Sequence, residues 1–320
     1  MLFRSLARYP DLVREYFMRA CVSPTESKLT AMNGAFWSGG VLLYVPAGLE
    51  VSLPFQAIYR IGKAEAGAFP RTLIVAGPGS RATYLEEYTS PPDGREALSD
   101  AIVEIFLEES AQLCYTALQR WGEGVTHFST QRALVKRDSC LRWIDCSLGG
   151  RLAKSNLECL LLEPGARVEQ TGLFFGAKNQ HMDFSPFLHH QAPHTTGEVL
   201  FKGALKGKAR SVFQGLIRVE KEARRTDSFL TNHNLILSEK GRADSIPRLE
   251  IENNDVRCSH AVTAGRVDEE QIFYLMSRGL PKGEAIRLVV SGFFEEVYRR
   301  IPLEEERERL RAALQERIEA

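Results

Sequence analysis

Four consecutive segments each combine a turn with a strand-like run: GPGSRATYLEEY (77–88), EESAQLCYTAL (108–118), RDSCLRWIDCSL (137–148) and EPGARVEQTGLFF (163–175). Each has a small residue in its turn and then alternates apolar with polar positions. Their first residues lie about 26 to 31 positions apart. A loose repeat of this length indicates a solenoid, in which each coil buries its inner face only against its neighbours. We therefore predict a mainly β protein with a parallel β-helix at its centre.

A β-sandwich or jelly roll is the competing interpretation of these strands. Such folds usually show two-residue hairpin signals, such as Asn-Gly or Asp-Gly, between consecutive strands. Here the one Asp-Gly pair, Asp93-Gly94, lies inside the loop SPPDGREALSD (90–100) and not between two strand-like runs. This placement favours the solenoid.

Helical patterns flank the β region and define three parts. We predict an N-terminal helical segment over 1–35, the β-helix core over 36–265 and a C-terminal helical region over 266–320. Asp268 is expected to cap a helix that ends at Gly279. The charged tail carries only a thin apolar stripe, Leu310, Leu314 and Ile318. We predict a solvated terminal helix there, with a partner contact as the alternative.

Composition excludes several classes of protein. Lys+Arg and Asp+Glu number 41 each, so no overall field favours nucleic acid or an anionic membrane. No segment reaches the roughly 20 apolar residues of a spanning helix, and the first residues do not resemble a signal peptide. The six cysteines form no CxxC pair, and four of them lie in apolar strand-like runs, which predicts packed, inert thiols: Cys114, Cys140, Cys146 and Cys159. We expect a cytoplasmic protein.

The common catalytic signatures are missing from the sequence. No GxSxG, HExxH or GxGxxG motif is present, which leaves hydrolysis by a serine nucleophile, zinc proteolysis and dinucleotide binding without support. The segment GALKGKAR (203–210) has the spacing GxxxGK and lacks the Ser or Thr that holds magnesium in a phosphate loop. We predict a turn between two coils at this position.

Cys258 and His260 are the strongest candidate ligands. They lie two residues apart where the strand-rich region ends, so both side chains point to one face if the strand continues through them. Two donors are too few for a structural zinc or an iron–sulfur cluster, which normally take four protein ligands. His233 lies about one coil earlier, and stacking of coils could bring it close to the pair.

A second group of histidines is found between His181 and His194. It also contains His189 and His190, which are adjacent and would point to opposite faces of a strand. The two could not easily bind one metal ion. We favour packing, turn hydrogen bonds or an interface as the role of these residues.

The chain resembles the SufB/SufD family of iron–sulfur assembly proteins. The resemblance is carried by FWSGGVLLYVP (36–46), RTLIVAGPGSRATYLEEYTSP (71–91), HHQAPHTTGEVLFKGAL (189–205), TNHNLILS (231–238), PRLEIENNDVRCSHAVTAG (247–265) and DEEQIFYLMSRGLPKGEA (268–285). It implies a right-handed parallel β-helix with helical regions before and after it. This fold agrees with the solenoid predicted from the repeat.

Particular positions make the chain more similar to SufD than to SufB. SufB carries a cysteine in a motif of the form YxEGCxAP, where this chain has Tyr88 in YLEEYTSP. SufB also has Glu-His-Glu at its interface histidine, which corresponds to Ser259-His260-Ala261. A second SufB cysteine corresponds to His233. The sequence Cys-Ser-His at 258–260 resembles SufD instead.

The resemblance implies a scaffold subunit and not an enzyme. It implies pairing with SufB through the edge of the β-helix, with His260 facing SufB where a nascent cluster assembles. Cys258 lies nearby and His233 is a further candidate donor. The cluster would be transient, with no cofactor held tightly by this chain alone. The SufC ATPase would dock on the C-terminal helices, about 268–300.

Two other functions stay open on the sequence. The chain could be a SufB-like homodimer that holds a cluster without a separate SufB. A β-helix can also serve as a carbohydrate lyase or hydrolase, but that chemistry needs paired carboxylates or a basic residue in a groove. Few acidic pairs in the β region have that spacing.

Overall fold

The chain winds into a stack of parallel β coils with helices before and after it. The structure is a computed structural model that describes residues 2–63 and 65–319, so the outermost residues of the predicted helical segments, 1 and 320, lie outside it. The helices are α1 (Leu2–Arg8), α2 (Pro10–Tyr16), α3 (Lys28–Phe36), α4 (Glu269–Ser277), α5 (Lys282–Arg300) and α6 (Glu304–Glu319). The strands are β1 (Gly39–Val45), β2 (Phe55–Arg60), β3 (Gly67–Ala68), β4 (Pro70–Ala76), β5 (Arg81–Thr89), β6 (Ala97–Leu107), β7 (Gln112–Arg120), β8 (Val125–Val135), β9 (Cys140–Ser147), β10 (Leu152–Leu161), β11 (Arg167–Gly176), β12 (His181–His190), β13 (Thr196–Leu205), β14 (Arg210–Phe213), β15 (Leu216–Val219), β16 (Thr226–Ile236), β17 (Arg242–Ser245), β18 (Arg248–Ile251) and β19 (Val256–Arg266).

Two parallel sheets form the walls of the solenoid. The first runs in the order β1-β4-β6-β8-β10-β12-β14-β17, with β15 and β18 continuing from β12 and β3 beside β6. The second runs in the order β19-β16-β13-β11-β9-β7-β5-β2. Leu152 pairs with Thr126 on one side and His181 on the other, offsets of 26 and 29 residues. The predicted parallel β-solenoid is therefore confirmed, with about eight turns.

Equivalent positions of successive coils fill the interior. Residues alternate between buried and half-buried along β10, as expected for strands with one face inside the coil. Aromatic rings from neighbouring coils stack along the axis: Tyr115 lies 5.8 Å from Tyr84 and 4.9 Å from Trp143, measured between ring centroids. Because each ring rests on the next, the coils bury apolar surface that a single coil would expose.

Among the described residues, seven successive coils contain a residue in the left-handed backbone region at one corner. The N–H of His194 donates to the carbonyl of Arg224 in the next coil at 2.9 Å, and that of Asp138 donates to Pro164 at 3.1 Å. The hydrogen bonds between coils thus continue through this turn. The left-handed residues have φ between +52° and +78° and are Gly48, Gly79, Ser110, Asp138, Gly165, His194 and Arg225.

The N-terminal segment lies against the outer face of the first sheet. Arg71 and Glu104 form a fully buried ion pair at 2.7 Å on that face. Arg71 also donates to the carbonyl oxygen of Val22 at 2.5 Å, and the Val22 N–H donates to Glu104 at 2.9 Å. Each charge is paired and also hydrogen-bonded to Val22. The ion pair therefore holds the segment between α2 and α3 against the sheet.

The C-terminal helix corrects a prediction. The tail was expected to be solvated or to contact a partner, but α6 packs on the outer face of the second sheet, where Leu310 and Leu314 are 2% and 1% exposed. Its apolar stripe meets Cys146 and Leu173 of the sheet together with α5. The short apolar stripe is enough to bury this face of α6 because the sheet offers a matching apolar patch. The composition of the helix alone does not show that patch.

Other local predictions are confirmed. Asp268 caps α4 by accepting the Glu270 N–H at 2.9 Å, and the helix ends before Gly279, which has φ +92°. Gly207 lies in a turn between β13 and β14, as expected for GALKGKAR. No helix in the part of the chain that the structure describes is long and apolar enough to cross a membrane.

Substitutions at the left-handed corner test this account of the coil. We expect His194→Gly to be more stable than His194→Ala by about 1 kcal/mol, because alanine is strained at φ +59° and glycine is not. Urea unfolding midpoints would measure the difference. The matched pair at the exposed turn residue Glu222, which is not among the positive-φ residues, should show the reverse order. A more stable alanine variant at position 194 would contradict the account.

Candidate ligand site at the open end of the solenoid

The candidate ligands lie on the last coil. Strand β19 carries Cys258 and His260 and pairs with β16 on one side. On its other side, no strand of the described residues pairs with it. The site therefore lies at an open edge, where unpaired backbone groups and side chains can meet another chain.

Both candidate side chains belong to the inner face of that coil. Cys258 is in register with Ser228, and His260 with Leu230, and both of these β16 residues are buried inside the solenoid. The strand continues through the pair, so the two side chains share a face as the sequence indicated. Cys258 is half-buried against the core, whereas His260 is exposed. His260 is thus the more accessible donor.

The surroundings of Cys258 keep it protonated. Burial raises the pKa of the thiol to about 11, and the carboxylate of Asp227 on the neighbouring strand adds to this effect. A backbone hydrogen bond from Ser228 opposes it. Since the thiolate is the form that binds metal, Cys258 must lose a proton before it can act as a ligand. Asp227 and Ser228 were not among the predicted residues, although the coil offset of about 30 positions pointed to them.

His233 lies on the opposite face of the second sheet. It is in register with Thr263 and Lys202, and its Nδ1 lies 2.6 Å from the Thr263 hydroxyl oxygen. Burial and the nearby Lys202 ammonium lower the pKa of His233, while Glu296 of α5 has the opposite effect. The structure therefore does not bring His233 together with Cys258 and His260.

The other histidines serve packing and turns. His190 is buried between the hydroxyl oxygens of Thr195 at 2.8 Å and Ser228 at 3.1 Å, and burial lowers its pKa to about 3. His189 points to the other face and lies 2.7 Å from Glu220. The opposite orientation of this adjacent pair agrees with the prediction. No group of three or more His, Cys, Asp or Glu within the described residues could hold a metal ion.

Tyr88, the residue at which the resemblance distinguishes this chain from SufB, is packed inside the solenoid. Its hydroxyl donates to Glu86 at 2.8 Å, and those of Tyr115 and Thr72 donate to the same carboxylate at 2.7 and 2.8 Å. Burial raises the pKa of Glu86 despite these three donors. Tyr88 lies on β5, six strand spacings from β19, or roughly 29 Å.

The four predicted packed cysteines are free thiols, as expected for thiols that only fill space. Cys146 and Cys159 are buried, while Cys114 and Cys140 are half-buried on the outer side of the second sheet. Burial raises the pKa of Cys114 to about 11 and that of Cys159 to about 12. None of these thiols is activated for metal binding or nucleophilic attack.

A second exposed surface lies on α4 and α5. Phe273 is 72% exposed, Tyr274 57% and Leu288 54%. A groove of about 470 Å³ is lined by α4, the start of α5 and the ends of β16 and β19, and its lining includes charged residues. Large apolar side chains exposed together make this area a candidate interaction site. We call this area the α4–α5 surface.

Comparison with known proteins identifies the family. Residues 59–293 match the family model described as "SUF system FeS cluster assembly, SufBD core domain". Proteins from Staphylococcus epidermidis, Staphylococcus saprophyticus and Staphylococcus aureus, named as iron-sulfur cluster assembly SufBD family proteins, are each 33% identical over 300 residues. The alignments cover 94% of this chain and 64% of each relative, so the chain spans less than two thirds of their length. The chain belongs to the SufBD family of iron–sulfur cluster assembly proteins.

Proposed function

We propose that the chain is a SufD-like scaffold subunit that pairs with SufB and contributes half of a cluster-assembly site. The observation that carries this proposal is the position of Cys258 and His260 on an unpaired edge strand. An iron–sulfur cluster normally takes four protein ligands. Two donors at an open edge supply half of that number, and a partner strand beside β19 supplies the rest.

The SufD assignment is supported by what stands at the SufB cysteine position. Tyr88 offers a buried phenol bound to Glu86, which cannot accept sulfur as a thiolate does. Ser259 and Ala261 flank His260 and add no carboxylate to the site. The chain is therefore suited to complete a site and not to carry sulfur on its own.

The roles within the half-site follow from exposure and charge. His260 is exposed at the edge and can present an imidazole nitrogen to an incoming cluster, which is the substrate of the assembly. Cys258 is the supporting donor, because its raised pKa keeps it protonated until a cation approaches. His233 is not assigned to this half-site, since it lies on the other face of the sheet.

We further propose that the α4–α5 surface receives the SufC ATPase. The exposed Phe273, Tyr274 and Leu288 provide the apolar centre of such an interface. α5 is tied to the second sheet by Lys202 with Glu296 at 2.7 Å and by Arg300 with Glu198 at 2.7 Å. A movement of SufC on this surface would therefore be passed to β13 and its neighbouring strands.

A homodimer is the second candidate. Two copies that pair through β19 would bring together two Cys258 and two His260 side chains, which makes four donors. This count favours a self-sufficient scaffold that works without SufB. Anaerobic reconstitution of the isolated chain separates the two functions, because only the homodimer should hold a stable cluster chromophore alone.

Complex formation tests the proposed partners. Co-expression with SufB and SufC should yield a complex that contains all three proteins. The double variant Phe273→Asp and Leu288→Asp should lose SufC and retain SufB, because it places charges on the apolar α4–α5 surface. Leu53→Asp is the matched control, since Leu53 is exposed on the first coil at the other end of the solenoid. Full retention of SufC by the double variant would exclude this docking surface.

Substitution of the exposed histidine tests the half-site. We expect His260→Ala to slow cluster assembly in the complex by about tenfold or more, a loss typical of damage to a metal site. Folding should be unaffected because His260 is exposed. His233→Ala is the control, as it removes a histidine from the adjacent strand on the opposite face. Equal assembly rates for His260→Ala and the wild type would remove His260 from the site.

The effect of Asp227 on the pKa of the Cys258 thiol can be tested in the isolated chain. Asp227→Asn should lower the pKa of the Cys258 thiol, so its alkylation should become faster at a given pH near neutrality. Peptide mass spectrometry of the fragment that contains Cys258 would follow the reaction from pH 7 to pH 10. Asp255→Asn, an exposed carboxylate near the same edge, should leave the profile unchanged. Identical profiles for Asp227→Asn and the wild type would contradict the electrostatic account.

A further inference from the structure

A buried carboxyl group without a partner lies between α3 and the first sheet. Asp100 of β6 and Asn33 of α3 are both 0% exposed. Within the described residues, neither oxygen of the Asp100 carboxyl group receives a hydrogen bond, and neither does the amide oxygen of Asn33. Buried acceptors are normally paired, so three orphan oxygen atoms at one contact require a donor.

Asn33 fixes α3 at this point. Its amide nitrogen donates to the backbone oxygen of Asp100 at 2.8 Å and to that of Pro70 at 3.3 Å. The Asn33 side chain therefore lies beside Asp100 and joins α3 to β6 and to the first residue of β4. Any change at Asp100 acts directly on the attachment of α3.

In the part of the chain that the structure describes, no nearby cation neutralises Asp100. On β4, Arg71 is bound by Glu104 of β6 and by Val22. On β8, Arg132 is bound by Glu26 and Glu158. The remaining charged residue of the packed elements is Lys28, which is exposed at the start of α3. Burial is the cause that raises the pKa of Asp100, to about 7, and no charged group contributes to the shift.

We propose that Asp100 and Asn33 form a proton-dependent clasp, in which the protonated Asp100 carboxyl group donates to the amide oxygen of Asn33 and holds α3 on the sheet. Protonation of Asp100 supplies the missing donor, because the carboxyl O–H can then donate to the amide oxygen of Asn33. No additional atom has to fit between the two side chains. The two side chains would give a metal ion too few ligands. This clasp is independent of the assembly function proposed above.

The direction of the pH effect follows from the two states. In the closed state, with α3 packed on the sheet, the pKa of Asp100 is about 7. In the open state, with α3 detached, contact with water returns that pKa to about 4. The clasp is therefore strongest below pH 4, weakens as pH rises from 4 to 7, and stays weak above pH 7. Within that window the opening equilibrium changes by up to about tenfold per pH unit.

Hydrogen exchange on the full chain tests the clasp. After correction for the intrinsic exchange rate, protection of the α3 amides, residues 28–36, should fall between pH 5 and pH 7 and then level off. Asp100→Asn should remove this pH dependence, because its amide group supplies a donor at every pH. Asp11→Asn on α2 is the control, since that carboxylate is exposed and should leave the wild-type profile intact.

A direct titration completes the test. Carbon-13 labelling of aspartate side chains should show a carboxyl signal that titrates near pH 7 and is lost in Asp100→Asn, whereas any signal of the buried Asp145 should remain in that variant. A signal for Asp100 that is fully ionised at pH 5.5 would overturn the proposal. So would a wild-type protection profile for α3 that is flat from pH 5 to pH 7, a result that needs no variant to fold.

Discussion

Stacking of coils in one register is the constraint on which the rest of the structure depends. Strands one coil apart pair at offsets of 26 to 32 residues, so every inward side chain lies on its counterpart in the next coil. The left-handed residue at one corner lets the ladder turn without losing its hydrogen bonds. Each coil is thus stable only because the next one covers it.

The last coil is the exception, and the candidate site follows from it. β19 continues the inner row of buried residues such as Ser228 and Leu230, but within the described residues no further coil covers Cys258 and His260. The stacking of equivalent positions that fills the interior therefore leaves two donor side chains at an open edge. In the proposed function, these two donors form a half-site that a second chain completes.

The outer faces carry the helices, and charges fix where they lie. The buried Arg71 and Glu104 pair holds the N-terminal segment on the first sheet, while Lys202 and Arg300 hold α5 on the second. Removal of one partner from the fully buried Arg71 and Glu104 pair would leave an uncompensated charge, so this contact specifies position strongly, whereas the α5 pairs are partly exposed. Asp100 differs from these residues because no counter-charge for it is found among the described residues, and its proton takes that place in the proposed clasp.

The sequence by itself determined the solenoid, its approximate repeat and the shared face of Cys258 and His260, since these depend on local periodicity. Only the tertiary structure decided that His233 pairs with Thr263 and not with His260. A repeat length known only to within a few residues cannot fix the register of neighbouring strands. A slip of one residue moves a side chain to the other face of the sheet. The tertiary structure also decided that α6 is packed, because the apolar patch under Leu310 and Leu314 comes from strands far away in sequence.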